Sequence, residues 1–346
     1  MHDATSTQQF SSWGDKLLGH TDVLYLAQVH RQWKPINIQL APTEICESNC
    51  SFCSVANRPT CIMAWPTVVQ CLTDFKSLGA KALEITGGGN PLLYRHTGRT
   101  INDLVIVASK LGYDIGVITN SHSLKILKPD IYQHISWIRV SLFSLDSGIA
   151  PEQYDFNGFP LGRLGFSYIV HGGTTDKSVE QIVRLTQMHP QVKFVRVAGD
   201  CLVKGNNVRV FQTWRNKFEA ADTLHKVFFK NIGEGGDDPF NDGCYVGMVR
   251  PYIAPDPSGK GYNVYICSSH VLNDRTYDRN YALCPVENIV ETWRILNHRF
   301  KHNGFPYEVR SNGGANWRST CKYCFYKNNN SLLHTICHDL PDKNFA

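Results

Sequence analysis

The sequence predicts an α/β protein built on an open parallel sheet, with a smaller α+β domain after it. Three observations carry this. From Ile36 to about Gly199, short β-branched runs alternate with segments of helical apolar spacing, the pattern of βα units that bury a parallel sheet between helices. Residues 231–243 are rich in glycine and acid, with Gly233, Gly235, Gly236, Asp237, Asp238 and Asp242, and read as a linker. Beyond that stretch the alternation ends and cysteines recur.

Residues 1–35 read as a helical extension, because Trp13 to Trp33 holds a helical apolar set that includes Leu17, Leu18 and Leu24. Six strands are expected next, at residues 36–41, 82–86, 114–119, 135–142, 164–170 and 193–198. Helices are expected between them at 67–78, 101–111 and 178–188, with Pro66 at a helix start and Gly79 and Gly112 at helix ends. Another helix is expected at 208–224. Six strands are too few for a complete eight-stranded barrel. In parallel barrels the chemistry sits at the C-terminal ends of the strands.

The chain has 346 residues, 42% of them hydrophobic and 19% charged, which suits a globular protein. It has no apolar run near the roughly 20 residues that span a bilayer, and the segment from Met1 to Trp13 has no signal-peptide core. A cytoplasmic, reducing setting is therefore expected, in which twelve cysteines point to metal or redox chemistry rather than to disulfides. The net charge of +5 is unevenly spread. Between 193 and 231, Lys193, Arg196, Lys204, Arg209, Arg215, Lys217, Lys226 and Lys230 face only Asp200, Glu219 and Asp222. Between 290 and 330, seven basic residues face Glu291 and Glu308. Such a bias marks either solvated surface or a polyanionic partner.

The most informative segment is Cys46-Glu47-Ser48-Asn49-Cys50-Ser51-Phe52-Cys53, which reads C-x3-C-x2-C and follows the first strand. Three thiolates on one short loop suit three irons of a [4Fe–4S] cube and leave the fourth iron open to a ligand. A zinc loop or three unrelated buried thiols are the other readings, although zinc sites usually pair C-x2-C with a second pair. The spacing, with Phe52 just before the third cysteine, resembles the radical S-adenosylmethionine (radical SAM) family. That resemblance covers about Ile36 to Cys337 and implies a partial (β/α)6 barrel over 36–232. It also implies S-adenosylmethionine (SAM) on the open iron, its reductive cleavage to a 5′-deoxyadenosyl radical, and an electron donor such as flavodoxin or ferredoxin.

The same resemblance assigns the SAM pocket. Gly87-Gly88-Gly89-Asn90 stands where the family has its GGE element, which binds the methionine amino group. Gly89 replaces the glutamate, so Asn90 is expected as the acceptor. Thr119 and Asn120 end the third strand, and Ser141 and Ser144 the fourth, where family members bind ribose or the methionine carboxylate. Arg196 on the sixth strand is a candidate for that carboxylate, and Phe52 for packing near adenine. Cys201, just past the sixth strand, is a candidate hydrogen-atom donor, with an inert buried thiol as the bland reading.

Residues 233–346 add Cys244, a hairpin turning at 256–261, Cys267, and then Cys321-Lys322-Tyr323-Cys324. This resembles the "twitch" half of the SPASM auxiliary domain, and it implies a second [4Fe–4S] cluster on Cys244, Cys267, Cys321 and Cys324. A rival ligand set is Cys321, Cys324 and Cys337, with Cys284 a further thiol in the domain. Four cysteines around a structural zinc remain an alternative. Trp317, Tyr323, Phe325 and Tyr326 lie among lysines and arginines, which tilts the expected substrate toward a nucleotide or nucleic-acid base. The sequence shows none of the extra N-terminal domain that peptide-modifying members use. The reaction expected is rearrangement or oxidation of that substrate. The alternatives are a dehydrogenase, epimerase or cyclase acting on a small molecule or peptide, or a zinc-bound nucleic-acid-binding protein.

Overall fold

The computed structural model describes residues 14–203, 207–230, 244–271, 275, 277–303 and 326–338. The strands are β1 (Asn37–Leu40), β2 (Ala82–Ile85), a small hairpin of β3 (Arg95–His96) and β4 (Arg99–Thr100), β5 (Asp114–Thr119), β6 (Trp137–Ser141), β7 (Leu164–Val170) and β8 (Val195–Gly199). Setting the hairpin aside, these are the six expected strands, and each pairs in parallel with the next.

Helices Trp65–Ser77, Ile101–Lys110 and Asp176–Met188 cover the sheet. Each buries one apolar stripe, such as Val68, Cys71, Leu72 and Phe75 on the first. The expected helix ends hold. Gly79 and Gly112 take φ of +104° and +80°, and the next residues' N–H groups, of Ala80 and Tyr113, reach back to the carbonyls of Phe75 and Ala108 at 3.0 and 3.1 Å. At the start of the third helix the Thr175 hydroxyl accepts from the Ser178 N–H, while Thr175 N–H donates to the Ser178 hydroxyl. Thr175→Ala should therefore cost about 1 kcal/mol of stability, read as a lowered urea midpoint at unchanged m.

The helix expected at 208–224 is present, and the structure adds a strand after it. Helix Asn207–Ala221 leads into β9 (Val227–Lys230), which pairs in parallel with β8. The expected linker, 231–243, lies outside the described residues. The hairpin after it is as expected, β10 (Tyr252–Pro255) and β11 (Tyr262–Tyr265), and β12 (Ala282–Pro285) follows. β10 pairs in parallel with β1, so these strands extend the main sheet in the order β12-β11-β10-β1-β2-β5-β6-β7-β8-β9. The sheet is a partial barrel that does not close among the described residues.

Pleating separates two faces. Ile38, Leu83 and Ile115 stand side by side and are fully or almost fully buried in the helix-covered core. Gln39 and Glu84, paired one residue on, belong to the opposite set, and they are buried as well. At the far end of the molecule, helix Ile289–Asn303 packs Trp293 edge-on to Phe75, with ring centroids 5.3 Å apart. Residues 1–13 lie outside the described residues, and within the rest of the expected N-terminal helical segment lie a 3-10 turn at Gly14–Gly19 and a helix at Thr21–His30. Trp33 after it exchanges backbone hydrogen bonds with the Asn297 side chain. No helix among the described residues is long and apolar enough to cross a membrane.

Candidate active site

A cavity of about 430 Å³ opens at the C-terminal ends of the parallel strands. Cys46, Cys50 and Cys53 all line it, together with Phe52, Gly87, Gly88, Gly89, Thr119, Asn120, Ser141, Arg196 and Cys201. Sequence positions spread over more than 150 residues thus meet on one wall, because each lies in or just after a strand of the same parallel sheet. A larger cavity, of about 660 Å³, lies at the opposite, N-terminal end of the strands and contains none of these residues.

The cysteine loop is held in place by groups that sequence reasoning missed. Arg58 donates from Nε to the Glu44 carbonyl at 2.9 Å and from Nη1 to the Cys53 thiol at 3.5 Å. Arg275 donates to the carbonyls of Cys53 and Ser51, both at 2.9 Å. The buried Glu44 side chain accepts from Tyr277 at 2.8 Å. Burial raises the Glu44 carboxyl to about 8, even though the Tyr277 hydrogen bond and Arg58 pull it down. Nothing in the local sequence marks Arg275 or Tyr277, which arrive from more than 200 positions away.

The glycine run also has a packing reason. A Cβ on Gly88 would sit 1.6 Å from a Glu44 carboxylate oxygen, and one on Gly89 2.2 Å from the Ile45 carbonyl. The absence of side chains lets the β2 loop lie directly against the strand-end leading into the cysteines. Gly88→Ala is expected to displace that loop and lower both iron content and stability, measured by iron assay and thermal unfolding of the same preparation.

Two expected pocket residues stand elsewhere. Asn90 is fully buried and absent from the cavity wall. Its amide donates to Glu47 at 2.8 Å and accepts from Thr119 Oγ1 at 2.7 Å and from the Leu92 N–H at 3.2 Å. Ser144 also lies off the wall, its hydroxyl 2.6 Å from that of Tyr154. Asn120, by contrast, faces the loop, donating to the Ser48 hydroxyl at 2.7 Å and to the Cys46 thiol at 3.5 Å. Phe52 is held between Phe143 and His171, at centroid distances of 5.2 and 5.1 Å. His171 is fixed in turn by Asp146 at 3.0 Å, and Asp146 by the Ser178 hydroxyl at 2.6 Å.

The three thiols suit a cluster. Burial raises the Cys46 thiol, and burial with the neighbouring Cys53 and Cys46 pushes Cys50 up to about 12. The crowded Cys46 and Cys50 thiols therefore favour ionisation beside a compensating cation, which bound iron would supply. No three metal-ligating side chains among the described residues converge as ligands of a single ion would. Ligands of a cube bind separate irons and need not converge. Burial, followed by the adjacent Asp200, pushes Cys201 up to about 11, so at neutral pH it keeps its S–H.

In the second cysteine set, Cys244 and Cys267 are half-buried, Cys267 just after β11 and Cys244 ahead of the short helix Val246–Val249 that precedes β10. Cys321 and Cys324 lie outside the described residues, as do Trp317, Tyr323 and Phe325. Cys284 is buried on β12, and Cys337 is buried at the end of helix Lys327–Cys337, where its carbonyl accepts from Arg31. The cavity wall also holds Lys230, Ser268, Ser269 and Tyr326, which sequence reasoning did not assign to the site. The signal for Lys230 was a three-residue apolar run, Val227-Phe228-Phe229, just before it, short enough to pass for the end of a helix.

No protein-family model matches the sequence, and no curated protein matches it. Among solved structures, the chain is similar to Streptococcus suis SuiB, at 14% identity and a TM-score of 0.50, over 95% of this chain and 84% of that one. SuiB bound to S-adenosylmethionine aligns at 12% identity and a TM-score of 0.48, over 96% and 82% of the two chains. The structure of anSMEcpe with bound AdoMet and Cp18Cys peptide aligns at 12% identity and a TM-score of 0.45, over 86% and 95%. The likeness to SuiB is one of fold, and it spans most of both chains. This chain has a partial α/β-barrel fold similar to that of SuiB.

Proposed function

We propose that this protein is a radical SAM enzyme, and that its substrate is a nucleotide or a modified nucleic-acid base. The observation that carries the reading is the meeting of Cys46, Cys50 and Cys53 with the glycine run and the strand-end polar groups around one cavity. Cys46, Cys50 and Cys53 would hold a [4Fe–4S] cluster with one open iron, and SAM would bind beside it. When bound, the pair supplies one-electron cleavage of the sulfonium and a 5′-deoxyadenosyl radical that takes a hydrogen atom from substrate.

The chain's own residues bind, orient and shield. The peptide groups of Gly87–Gly89 and the side chains of Thr119, Asn120 and Ser141 are the polar partners for SAM on the wall. Phe52, wedged by Phe143 and His171, offers an aromatic surface at the cavity. Cys201, protonated and on the wall, is placed to return a hydrogen atom to a substrate radical. Asn90 acts at one remove, orienting Glu47 and Thr119. Cys244, Cys267, Cys321 and Cys324 are proposed as ligands of an auxiliary [4Fe–4S] cluster, and flavodoxin or ferredoxin as the reductant.

The test is anaerobic purification followed by incubation with SAM and dithionite. About eight irons per chain and formation of 5′-deoxyadenosine are expected, and a colourless zinc protein without SAM cleavage would sink the assignment. Cys244→Ala should remove the auxiliary cluster signal in electron paramagnetic resonance, while Cys337→Ala should spare it. The reverse pattern would favour the Cys321, Cys324 and Cys337 set.

A further inference from the structure

The inner face of the barrel concentrates positive charge. Arg139 on β6, Arg196 on β8, Lys230 at the end of β9 and Arg250 just before β10 interact electrostatically around a single carboxylate, Glu84 of β2. Glu84 and Arg139 are buried, and Arg196, Lys230 and Arg250 are half-buried. Glu84 is already engaged by Arg250, at 3.2 and 3.3 Å, and by the Gln39 amide. Arg250 also donates to the Tyr326 hydroxyl at 2.8 Å.

Arg196 and Lys230 differ from the other two in lining the 430 Å³ cavity. Register explains this: Lys230 stands opposite Ala198, two residues beyond Arg196, so both project from the same face near the strand ends. The buried Arg196 Nε has no hydrogen-bond acceptor among the described residues. Burial, and then Arg196, Arg250 and Arg139, push the Lys230 ammonium down to about 7. Charges removed from water and left uncompensated are costly. SAM brings no net negative charge, because its one carboxylate comes with an ammonium and a sulfonium, so even with that carboxylate on Arg196 the Lys230 ammonium still lacks a counter-charge. Beside the two cations stand the neutral donors Ser268 and Ser269, with the Ser268 hydroxyl 2.8 Å from that of Tyr326.

We propose that Arg196 and Lys230, backed by Arg139 and with Ser268 beside them, form an anion-binding wall that takes a phosphate group of the substrate into the barrel. A phosphate dianion matches two facing cations, and its oxygens suit the guanidinium fork. The wall lies on the same cavity as the cysteine loop, so a phosphate held there sets one end of the substrate and leaves the other toward the SAM site. That the anion belongs to a substrate rests on the radical SAM reading above. The wall itself does not.

The test is titration calorimetry of the full chain with inorganic phosphate at low salt, with acetate as the competing carboxylate. Iron content and 5′-deoxyadenosine formation are measured on the same preparations. Phosphate should bind, and Lys230→Gln and Arg196→Gln should each weaken it about tenfold or more, while the exposed Lys177→Gln leaves it unchanged. Circular dichroism identifies a variant that has failed to fold, and the other variant then decides. Equal phosphate binding by wild type and a folded wall variant would overturn the proposal, as would no binding by a wild-type preparation that cleaves SAM. Displacement of phosphate by equimolar acetate would overturn it in favour of a carboxylate substrate. Phosphate binding that depends on Lys230, in a chain that neither holds iron nor cleaves SAM, would keep the anion wall and remove the enzymatic reading around it.

Discussion

Replacing Cys46, Cys50 and Cys53 together with alanine should abolish 5′-deoxyadenosine formation and remove about half of the iron, four of every eight atoms if two cubes are bound. The fold should survive. These three cysteines are only partly buried on a loop, and the loop's backbone is held by Arg58 and Arg275. Unfolding transitions of the variant and the wild-type apoprotein should therefore nearly coincide, separating loss of chemistry from loss of structure. Undiminished SAM cleavage by a folded triple variant would reject the cluster site, since no other C-x3-C-x2-C spacing exists in the chain.

Glu84→Gln should be the most destabilising single substitution in the barrel interior, by about 3–5 kcal/mol, because it leaves buried cations without their counter-charge. Burial alone would raise the Glu84 carboxyl, but Arg250 and Arg139 outweigh it and hold the group below its ordinary value. A carboxylate with a depressed folded pKa stabilises the fold fully above its unfolded pKa of about 4.3, and that stability is lost as pH falls through the folded value. The wild-type advantage over Glu84→Gln in urea should thus be constant from neutral pH to about 5 and shrink in stronger acid. An advantage that does not change with pH would mean that Glu84 acts through packing rather than charge. Filling the anion wall with phosphate should add to the stability of both proteins by mass action.

What the sequence determined by itself was local or periodic. The C-x3-C-x2-C spacing needs only neighbouring residues to define it. The alternation of β-branched runs with helical spacing gave the six strands, because parallel strands buried on both faces and helices with one buried face leave different periods in the chain. Gly79 and Gly112 marked helix ends because a positive φ is a property of one residue. The same local logic placed Asn90 beside the ligand, since it follows the glycines, and could not see that its amide is consumed by Glu47, Thr119 and Leu92.

Tertiary structure decided the rest. β9 and β10 join the sheet at opposite sides, next to β8 and β1, and which strand a segment pairs with is set by hydrogen bonds to that partner, not by the segment's own residues. Arg275 and Tyr277 support the cysteine loop from more than 200 positions away. The convergence of Arg139, Arg196, Lys230 and Arg250 on Glu84 joins four strands and a loop end. In the sequence Arg196 and Lys230 belong to a basic segment that a solvated surface explains equally well, and Arg139 and Arg250 carry no mark at all. Folding removes them from water, and charge without water requires a counter-charge, so burial rather than composition turns them into a site.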